Sequence, residues 1–162
     1  PRKKFRQCKA FFGSILNHII RDMIDFYQIP TYELNRIKNG EDYTTADGTI
    51  VPNHRLTTPS APPRSYAYCS DTMCLKSILP QIKGVDLLFH EATFAQCDAA
   101  RAKETFHTTA IQAAELARGA EVKQLVIGHF SARYEDESIL LKEAKSVFDN
   151  TLLAKENLKI TL

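Results

Sequence analysis

The sequence lacks any apolar run long enough to cross a bilayer, and its first residues lack the pattern of a secretory signal peptide. We therefore expect no membrane partner. An initiating methionine is also missing, which indicates a segment of a longer protein or a processed chain. The length of 162 residues suits one compact domain with a sizeable core.

The cysteine spacing of a metal site is absent as well. None of the four cysteines, Cys8, Cys69, Cys74 and Cys97, forms a Cys-x-x-Cys pair. Cys69 lies in an apolar segment, where a buried free thiol is a common core residue. We interpret this pattern as that of a reducing compartment, the cytoplasm, with neither a disulfide framework nor a cysteine zinc site.

A strong excess of one charge is missing too. The net charge of +2 is far from the basic balance of a protein that holds nucleic acid by charge alone. Four of the first six residues are nevertheless Lys or Arg. We interpret this segment as a solvated tail, with a phosphate-binding patch as the alternative.

Hydrophobic periodicity predicts the secondary structure. Apolar residues at spacings of three and four predict amphipathic helices, short apolar runs predict strands, and Asp47-Gly48 predicts a hairpin turn. Strands that alternate with helices favour a layered α/β architecture. The predicted elements are a helix over 11–27, a short helix over 32–38, a hairpin with its turn at 46–48, a proline-rich connector over 52–64, strands over 65–70, 85–89, 124–128 and 159–162, and helices over 73–82, 108–119 (Thr108 as N-cap) and 136–148.

Three of the predicted strands are followed by residues that can bind metal ions or phosphate. Asp71 follows the first, His90 and Glu91 follow the second, and His129 follows the third within a His-x-Ser-x-Arg pattern. In open α/β sheets, ligands bind beyond the carboxyl ends of the strands. We therefore expect these side chains to gather at one edge of the sheet.

Residue chemistry suggests a role for each candidate. The carboxylate of Asp71 can bridge two divalent ions, and the imidazole of His129 suits zinc. His107 precedes a predicted helix start, where free N–H groups favour an anion. Glu91 can hold a histidine in one tautomer. Simpler interpretations remain open: Asp71 as a helix cap, His90 as a hydrogen-bonded core histidine, and Ser70, Thr72 and Ser131 as turn residues.

Four short segments together resemble a known family. They are Tyr-Cys-Ser-Asp-Thr at 68–72, Phe-His-Glu-Ala-Thr at 89–93, His-Thr-Thr-Ala at 107–110 and His-Phe-Ser-Ala-Arg-Tyr at 129–134. In this order and spacing they resemble the second half of the ribonuclease Z family, the tRNA 3′-processing endonucleases of the metallo-β-lactamase superfamily. The resemblance is good from about residue 29 to residue 154. Residues 29–162 are thus predicted as the C-terminal half of that domain, and residues 1–28 as a basic segment and helix of uncertain origin.

The resemblance implies a fold, an activity and partners. The fold would be the C-terminal half of a metallo-β-lactamase αβ/βα sandwich, a layered sheet with flanking helices. The activity would be removal of the 3′ trailer from precursor tRNA by a cytoplasmic homodimer with two zinc ions in each complete active site. Cleavage would leave a 3′-hydroxyl on the tRNA and a 5′-phosphate on the trailer.

The same resemblance assigns roles to individual residues. Asp71 and His129 would bind metal, His107 would protonate the leaving 3′ oxygen, and Glu91 would orient His107. His90 would help to position these residues without binding metal or substrate itself. Phosphate and substrate would be bound by Arg133, Thr108 and Ser131.

Two departures from the family pattern limit these expectations. The His-x-His-x-Asp-His motif, which supplies most metal ligands, is absent, and the region around 29–34 lacks the Gly-Pro of the family's tRNA-binding arm. Asp71 and His129 are too few for a tight dinuclear site. We therefore expect this chain alone to bind zinc weakly or not at all and to be inactive. The alternatives are another metal-dependent phosphodiesterase or hydrolase of the superfamily, and a non-catalytic binding half.

Overall fold

The computed structural model describes residues 8–13 and 16–162 of the chain. These residues form two compact units, one built from 8–12 and 64–162 and the other from 13 and 16–63. No helix in the described ranges is both long and apolar enough to cross a membrane. The basic segment at 1–6 lies outside the described residues.

The described elements follow one another in this order. The strands are β1 (Cys8–Phe12), β2 (His18–Ile19), β3 (Tyr43–Thr44), β4 (Ile50–Val51), β5 (Thr57–Thr58), β6 (Ser65–Cys69), β7 (Leu87–Glu91), β8 (Gln124–Gly128) and β9 (Thr151–Leu153). The helices are α1 (Arg21–Phe26), α2 (Leu34–Lys38), α3 (Asn53–Leu56), α4 (Leu79–Ile82), α5 (Ala99–Thr105), α6 (Ala110–Gly119) and α7 (Ser138–Lys145). Short 3-10 helices span Thr31–Glu33, Lys76–Ile78 and Gln96–Asp98.

The larger unit is built on a five-stranded sheet in the order β1-β6-β7-β8-β9. Strands β6 to β9 are parallel, and β1 joins the edge antiparallel to β6. Strand β8 is buried at Leu125, Val126 and Ile127, as expected for a parallel strand covered on both faces. The layered α/β architecture predicted from the sequence is confirmed.

Helix α6 packs against one face of this sheet through small residues. Ala113, Ala114 and Ala117 are fully buried and belong to one core with Leu88 and Leu125. The helix begins with a capping box in which Thr109 and Gln112 satisfy each other's backbone N–H groups. Thr109 is therefore the N-cap, one residue later than predicted.

The alternate residues of β6 and β7 point to the other face of the sheet. There the rings of Tyr68 and Phe89 stack with centroids 4.7 Å apart. Phe89 also lies close to Gly128, where an added Cβ would be 2.8 Å from its ring. Gly128 is thus required by packing rather than by backbone conformation.

The smaller unit has a core of its own, made of Ile29, Ile37, Tyr43, Val51 and Leu56. The predicted hairpin is confirmed, since β3 and β4 pair antiparallel. The connector predicted over 52–64 is wrong in part, because it contains α3 and β5 and buries Leu56 completely.

Three other predicted elements are wrong. The helix over 11–27 is replaced by β1, β2 and the short helix α1, because Phe11 and Phe12 pair with β6; residues 14 and 15 lie outside the described part. The strand over 159–162 does not form, and β9 pairs with β8 instead. The helix over 73–82 is reduced to a 3-10 turn and α4. In each case long-range pairing or packing overrides local periodicity.

The expectation of free thiols is wrong for two cysteines. Cys8 and Cys69 face each other in the antiparallel β1–β6 register, with Cα atoms 4.1 Å apart, and form a disulfide. Cys74 and Cys97 are free. The cysteine pattern therefore no longer supports a reducing compartment.

Candidate active site

Three predicted residues lie at one edge of the sheet, at the carboxyl ends of β6, β7 and β8: Asp71, Glu91 and His129. Cys69 lies opposite His90, and Glu91 lies opposite Gly128. His90 also pairs with Ile127, and Asp71 and His129 lie two residues after Cys69 and Ile127, at the same level of the sheet. Both have left-handed backbone conformations, with φ of 53° and 60°. Such conformations in residues other than glycine cost free energy and are concentrated at functional sites.

Glu91 is the buried centre of the site. Its side chain is fully buried. Oε1 accepts a hydrogen bond from the backbone N–H of Thr72. Oε2 accepts from the Thr93 hydroxyl at 2.6 Å and from the Thr108 backbone N–H at 3.1 Å, and lies 2.9 Å from Nδ1 of His107. These donors compensate for the cost of burying the carboxylate.

Two histidines lie beside this carboxylate. His107 is 20% exposed, and its Nδ1 faces Glu91, which directs Nε2 away from the carboxylate. The ring of His129 is exposed and lies 5.4 Å from the His107 ring, centroid to centroid. Nδ1 of His129 is 3.1 Å from the hydroxyl of Thr93. Two imidazoles thus share one set of buried partners.

The loop that carries His107 is held at both ends. Phe106 ends α5 with a left-handed conformation, and Thr109 caps α6. Phe94 joins the loop to the segment after β7, because its carbonyl accepts from the Ala110 N–H at 2.9 Å and its ring lies edge-on to His107. The position of His107 is therefore fixed by main-chain bonds as well as by Glu91.

Arg133 lies next to this loop. Its guanidinium sits 5.6 Å from the centroid of the Phe94 ring and 3.9 Å from Oδ1 of Asp98. Tyr134 donates its hydroxyl proton to Asp98 and accepts from the Ala95 N–H at 2.9 Å. Burial and the hydrogen bond to Asp98 raise the pKa of Tyr134. Arg133 is thus a partly exposed cation that lies over the ring of Phe94.

The remaining sequence candidates lie at or near this edge. Thr108 is fully buried, its N–H bonds Glu91 and its hydroxyl donates to the Thr72 carbonyl at 2.7 Å, so both donors are used inside the protein. Ser131 begins a turn, and its carbonyl oxygen accepts a hydrogen bond from the Tyr134 N–H. Asp71 does not cap a helix, because the next helical turn begins only at Lys76; that alternative is wrong.

His90 lies on the core side of the same strand. It is fully buried, and its Nδ1 is 2.8 Å from the carbonyl oxygen of Glu91. Nε2 has no hydrogen-bond partner among the described residues. Burial lowers the pKa of His90, which favours the neutral imidazole.

Thr93 was not among the residues predicted for the site. Its hydroxyl contacts Glu91, His107 and His129. The one available signal was its position two residues after Glu91, since alternate residues of a strand share a face. Nothing in the sequence predicted the contact with either histidine.

The chemistry of these donors fits a metal ion in part. Donor atoms of Glu91, His107 and His129 lie within 4.8 Å of one another. Glu91, however, already receives hydrogen bonds on both oxygens, which favours a positioning role over ligation. His129 and Asp71 offer donor types that zinc accepts, but two ligands are fewer than a zinc site uses.

The fold places the chain in a structural class. The solved metallo-β-lactamase fold protein YhfI from Bacillus subtilis is similar, with a TM-score of 0.54 and 25% sequence identity over 59% of this chain and 39% of that one. The chain thus has the fold of a metallo-β-lactamase protein over this part. No family model matches the chain.

Curated relatives are similar at high sequence identity. Ribonuclease Z from Phocaeicola vulgatus is 74% identical over 99% of this chain and 53% of that protein. The Bacteroides thetaiotaomicron ribonuclease Z is 69% identical over 90% of this chain and 46% of that protein. The chain is thus similar to ribonuclease Z proteins over nearly its whole length, and it spans about half the length of these relatives. The resemblance found in the sequence is confirmed.

Proposed function

We propose that the complete protein carrying this chain is a zinc-dependent endoribonuclease that removes the 3′ trailer from precursor tRNA. This chain would supply part of its active site. The observation that supports the proposal most is the pair of His107 and buried Glu91, held beside His129 at the sheet edge that also carries Asp71. The curated relatives carry the name of such an enzyme.

Residues of this chain would donate a proton and bind phosphate during cleavage. Because Nδ1 of His107 faces Glu91, Nε2 is the atom that would donate a proton to the leaving 3′ oxygen as the bond from phosphorus to that oxygen breaks. The attacking water would supply the new oxygen on the trailer's 5′-phosphate. Arg133 would bind a phosphate oxygen, since its guanidinium is 41% exposed.

Asp71 and His129 would provide metal ligands from this chain. Divalent cations, when bound, would lower the pKa of the attacking water and neutralise charge on the phosphoryl oxygens. The remaining ligands would come from the half of the protein that lies outside this chain. We therefore propose that the chain alone binds zinc weakly or not at all and does not cleave tRNA.

Assembly and location are part of the same proposal. A homodimer and a cytoplasmic site of action are what the family resemblance implies, and a precursor-tRNA substrate is in keeping with that location. Sedimentation of the complete protein tests the dimer: a single monomeric species at micromolar concentration would contradict it.

Cleavage of precursor tRNA tests the proposal. The complete protein should cut a precursor once, at the start of its 3′ trailer, and His107→Ala should lower the rate by about 100-fold or more, the usual contribution of a general acid. His54→Ala is the matched control, because His54 is exposed and lies in the smaller unit. Wild-type rates in the His107 variant would overturn the assigned role.

Two further measurements separate the alternatives. A chromogenic phosphodiester cleaved at a high rate while precursor tRNA stays intact would favour a different hydrolase of the superfamily. A protein that keeps its zinc content and activity after Asp71→Ala would contradict the metal role of Asp71. A protein that shows no metal-dependent hydrolysis at all would favour a non-catalytic binding half.

A further inference from the structure

The hydroxyl of Thr93 lies among more polar atoms than one hydroxyl can donate to. It is 2.6 Å from Oε2 of Glu91, 2.9 Å from the carbonyl oxygen of His129, 3.1 Å from Nδ1 of His129 and 3.3 Å from Nδ1 of His107. A threonine hydroxyl has one proton and two lone pairs. The direction of its single proton therefore determines what the neighbouring rings must do.

The proton of Thr93 points to Glu91. The carboxylate oxygen is both the shortest contact and the charged one, and O–H bonds to carboxylates are about twice as strong as neutral ones. If the proton were directed at the His129 carbonyl, two oxygen lone pairs would face each other across 2.6 Å beside a buried carboxylate. That arrangement is the less favourable one.

The orientation of Thr93 then determines the tautomer of His129. With its proton on Glu91, the Thr93 oxygen can only accept at the 3.1 Å contact with Nδ1 of His129. Nδ1 must therefore carry the proton, and the lone pair of this ring is on Nε2. His107 reaches the same tautomer by a different route, because its Nδ1 faces Glu91 directly at 2.9 Å.

We propose that Thr93 is a positioning residue whose hydroxyl links the Glu91 carboxylate to His129 by hydrogen bonds. It fixes His129 with Nδ1 protonated and Nε2 free to bind a metal ion. The metal role of His129 rests on the proposed function; the tautomer itself does not. Hydrogen bonds of this kind to metal-binding histidines orient the ring and raise its basicity. Thr93 itself does not contact substrate or metal in this role.

Nitrogen NMR of the metal-free complete protein, with ¹⁵N-labelled histidine, tests the tautomer without any activity measurement. At a pH where both imidazoles are neutral, the His107 and His129 signals, assigned by their loss in His107→Gln and His129→Gln, should both show protonated Nδ1. In Thr93→Val the His129 signal should move toward protonated Nε2, and the His107 signal should not. Thr93→Ser, which keeps the hydroxyl, should restore the wild-type pattern.

Zinc binding gives an independent measurement. Competition with a chromogenic chelator should show zinc affinity of the complete protein falling about 10- to 100-fold in Thr93→Val, as for other partners of metal-binding histidines. Thr151→Val is the matched control, since Thr151 is also buried and its hydroxyl donates to the Phe148 carbonyl at the start of β9. Thermal unfolding of each variant identifies any general loss of structure. If Thr93→Val is destabilised, the zinc affinity of Thr93→Ser, which keeps the hydroxyl, is the deciding measurement.

The outcomes distinguish this proposal from the function it rests on. Protonated Nε2 on His129 in the wild-type protein, or an unchanged His129 signal in Thr93→Val, would overturn the role of Thr93 even if tRNA is cleaved. The predicted tautomer change in a protein that does not cleave precursor tRNA would support Thr93 and refute the proposed function instead.

Discussion

Replacing Glu91 with glutamine tests whether the buried carboxylate organises the site. The carboxylate presents two acceptor oxygens, and a backbone N–H points at each: that of Thr72 at Oε1 and that of Thr108 at Oε2. A glutamine has one oxygen and one NH₂ group. Whichever way its amide turns, one buried backbone N–H faces another donor.

The expected loss of stability follows from that mismatch. One unsatisfied buried donor costs about 1–3 kcal/mol. The hydrogen bonds from Thr93 and His107 also lose their charged acceptor, which destabilises the variant further. The variant avoids the free-energy cost of burying a charge, which acts in the opposite direction. Since these two effects oppose each other, we expect Glu91→Gln to lower the free energy of unfolding by about 2–3 kcal/mol.

Urea unfolding at neutral pH, followed by circular dichroism, measures this loss. Glu143→Gln is the matched control, because Glu143 accepts a single backbone bond, from Gln96, that an amide oxygen can keep. We expect the control to change the free energy of unfolding by less than about 0.5 kcal/mol. A Glu91→Gln variant as stable as this control would refute the inference that both backbone N–H groups depend on the carboxylate.

Three other substitutions test the supporting structure. Gly128→Ala would place a Cβ 2.8 Å from the ring of Phe89 and should lower stability by about 1–3 kcal/mol in urea unfolding; an unchanged midpoint would contradict the tight packing. Thr109→Ala removes the N-cap of α6 and should cost about 1 kcal/mol, whereas Thr109→Ser should cost much less. The pKa of Asp86 is lowered chiefly by its bond to Lys123, so its contribution is present above a pH of about 4 and is lost as the pH falls through the lower, folded-state pKa. Asp86→Asn should therefore be less stable than the wild type at pH 7, and the difference should shrink in unfolding curves recorded below pH 4; a difference independent of pH would contradict this.

Local pattern was enough to find several candidate residues. The apolar runs that form β6, β7 and β8 are short and continuous, so the positions where they end could be read from the sequence. Since parallel strands end at the same edge, Asp71, Glu91 and His129 were expected together, and the backbone register places them at that edge. Their catalytic and metal roles stay predictions.

Contacts across several segments could not be read in the same way. Thr93 contacts two histidines that lie 14 and 36 residues further along the chain. Thr108 was expected to bind phosphate, but its hydroxyl faces the Thr72 carbonyl because the loop before α6 folds back over the end of β6. These contacts depend on side-chain directions that no sequence spacing specifies.

The alternation of strands and helices, the residues at the strand ends and the similarity to ribonuclease Z follow from the order of amino acids alone. Three features became known from the folded chain: the segment at 8–12 is a strand, Cys8 bonds to Cys69, and Thr93 connects Glu91 to His129. These features differ because periodicity shows which face of an element is buried, whereas the partners on that face are set by register and packing between segments distant in the chain.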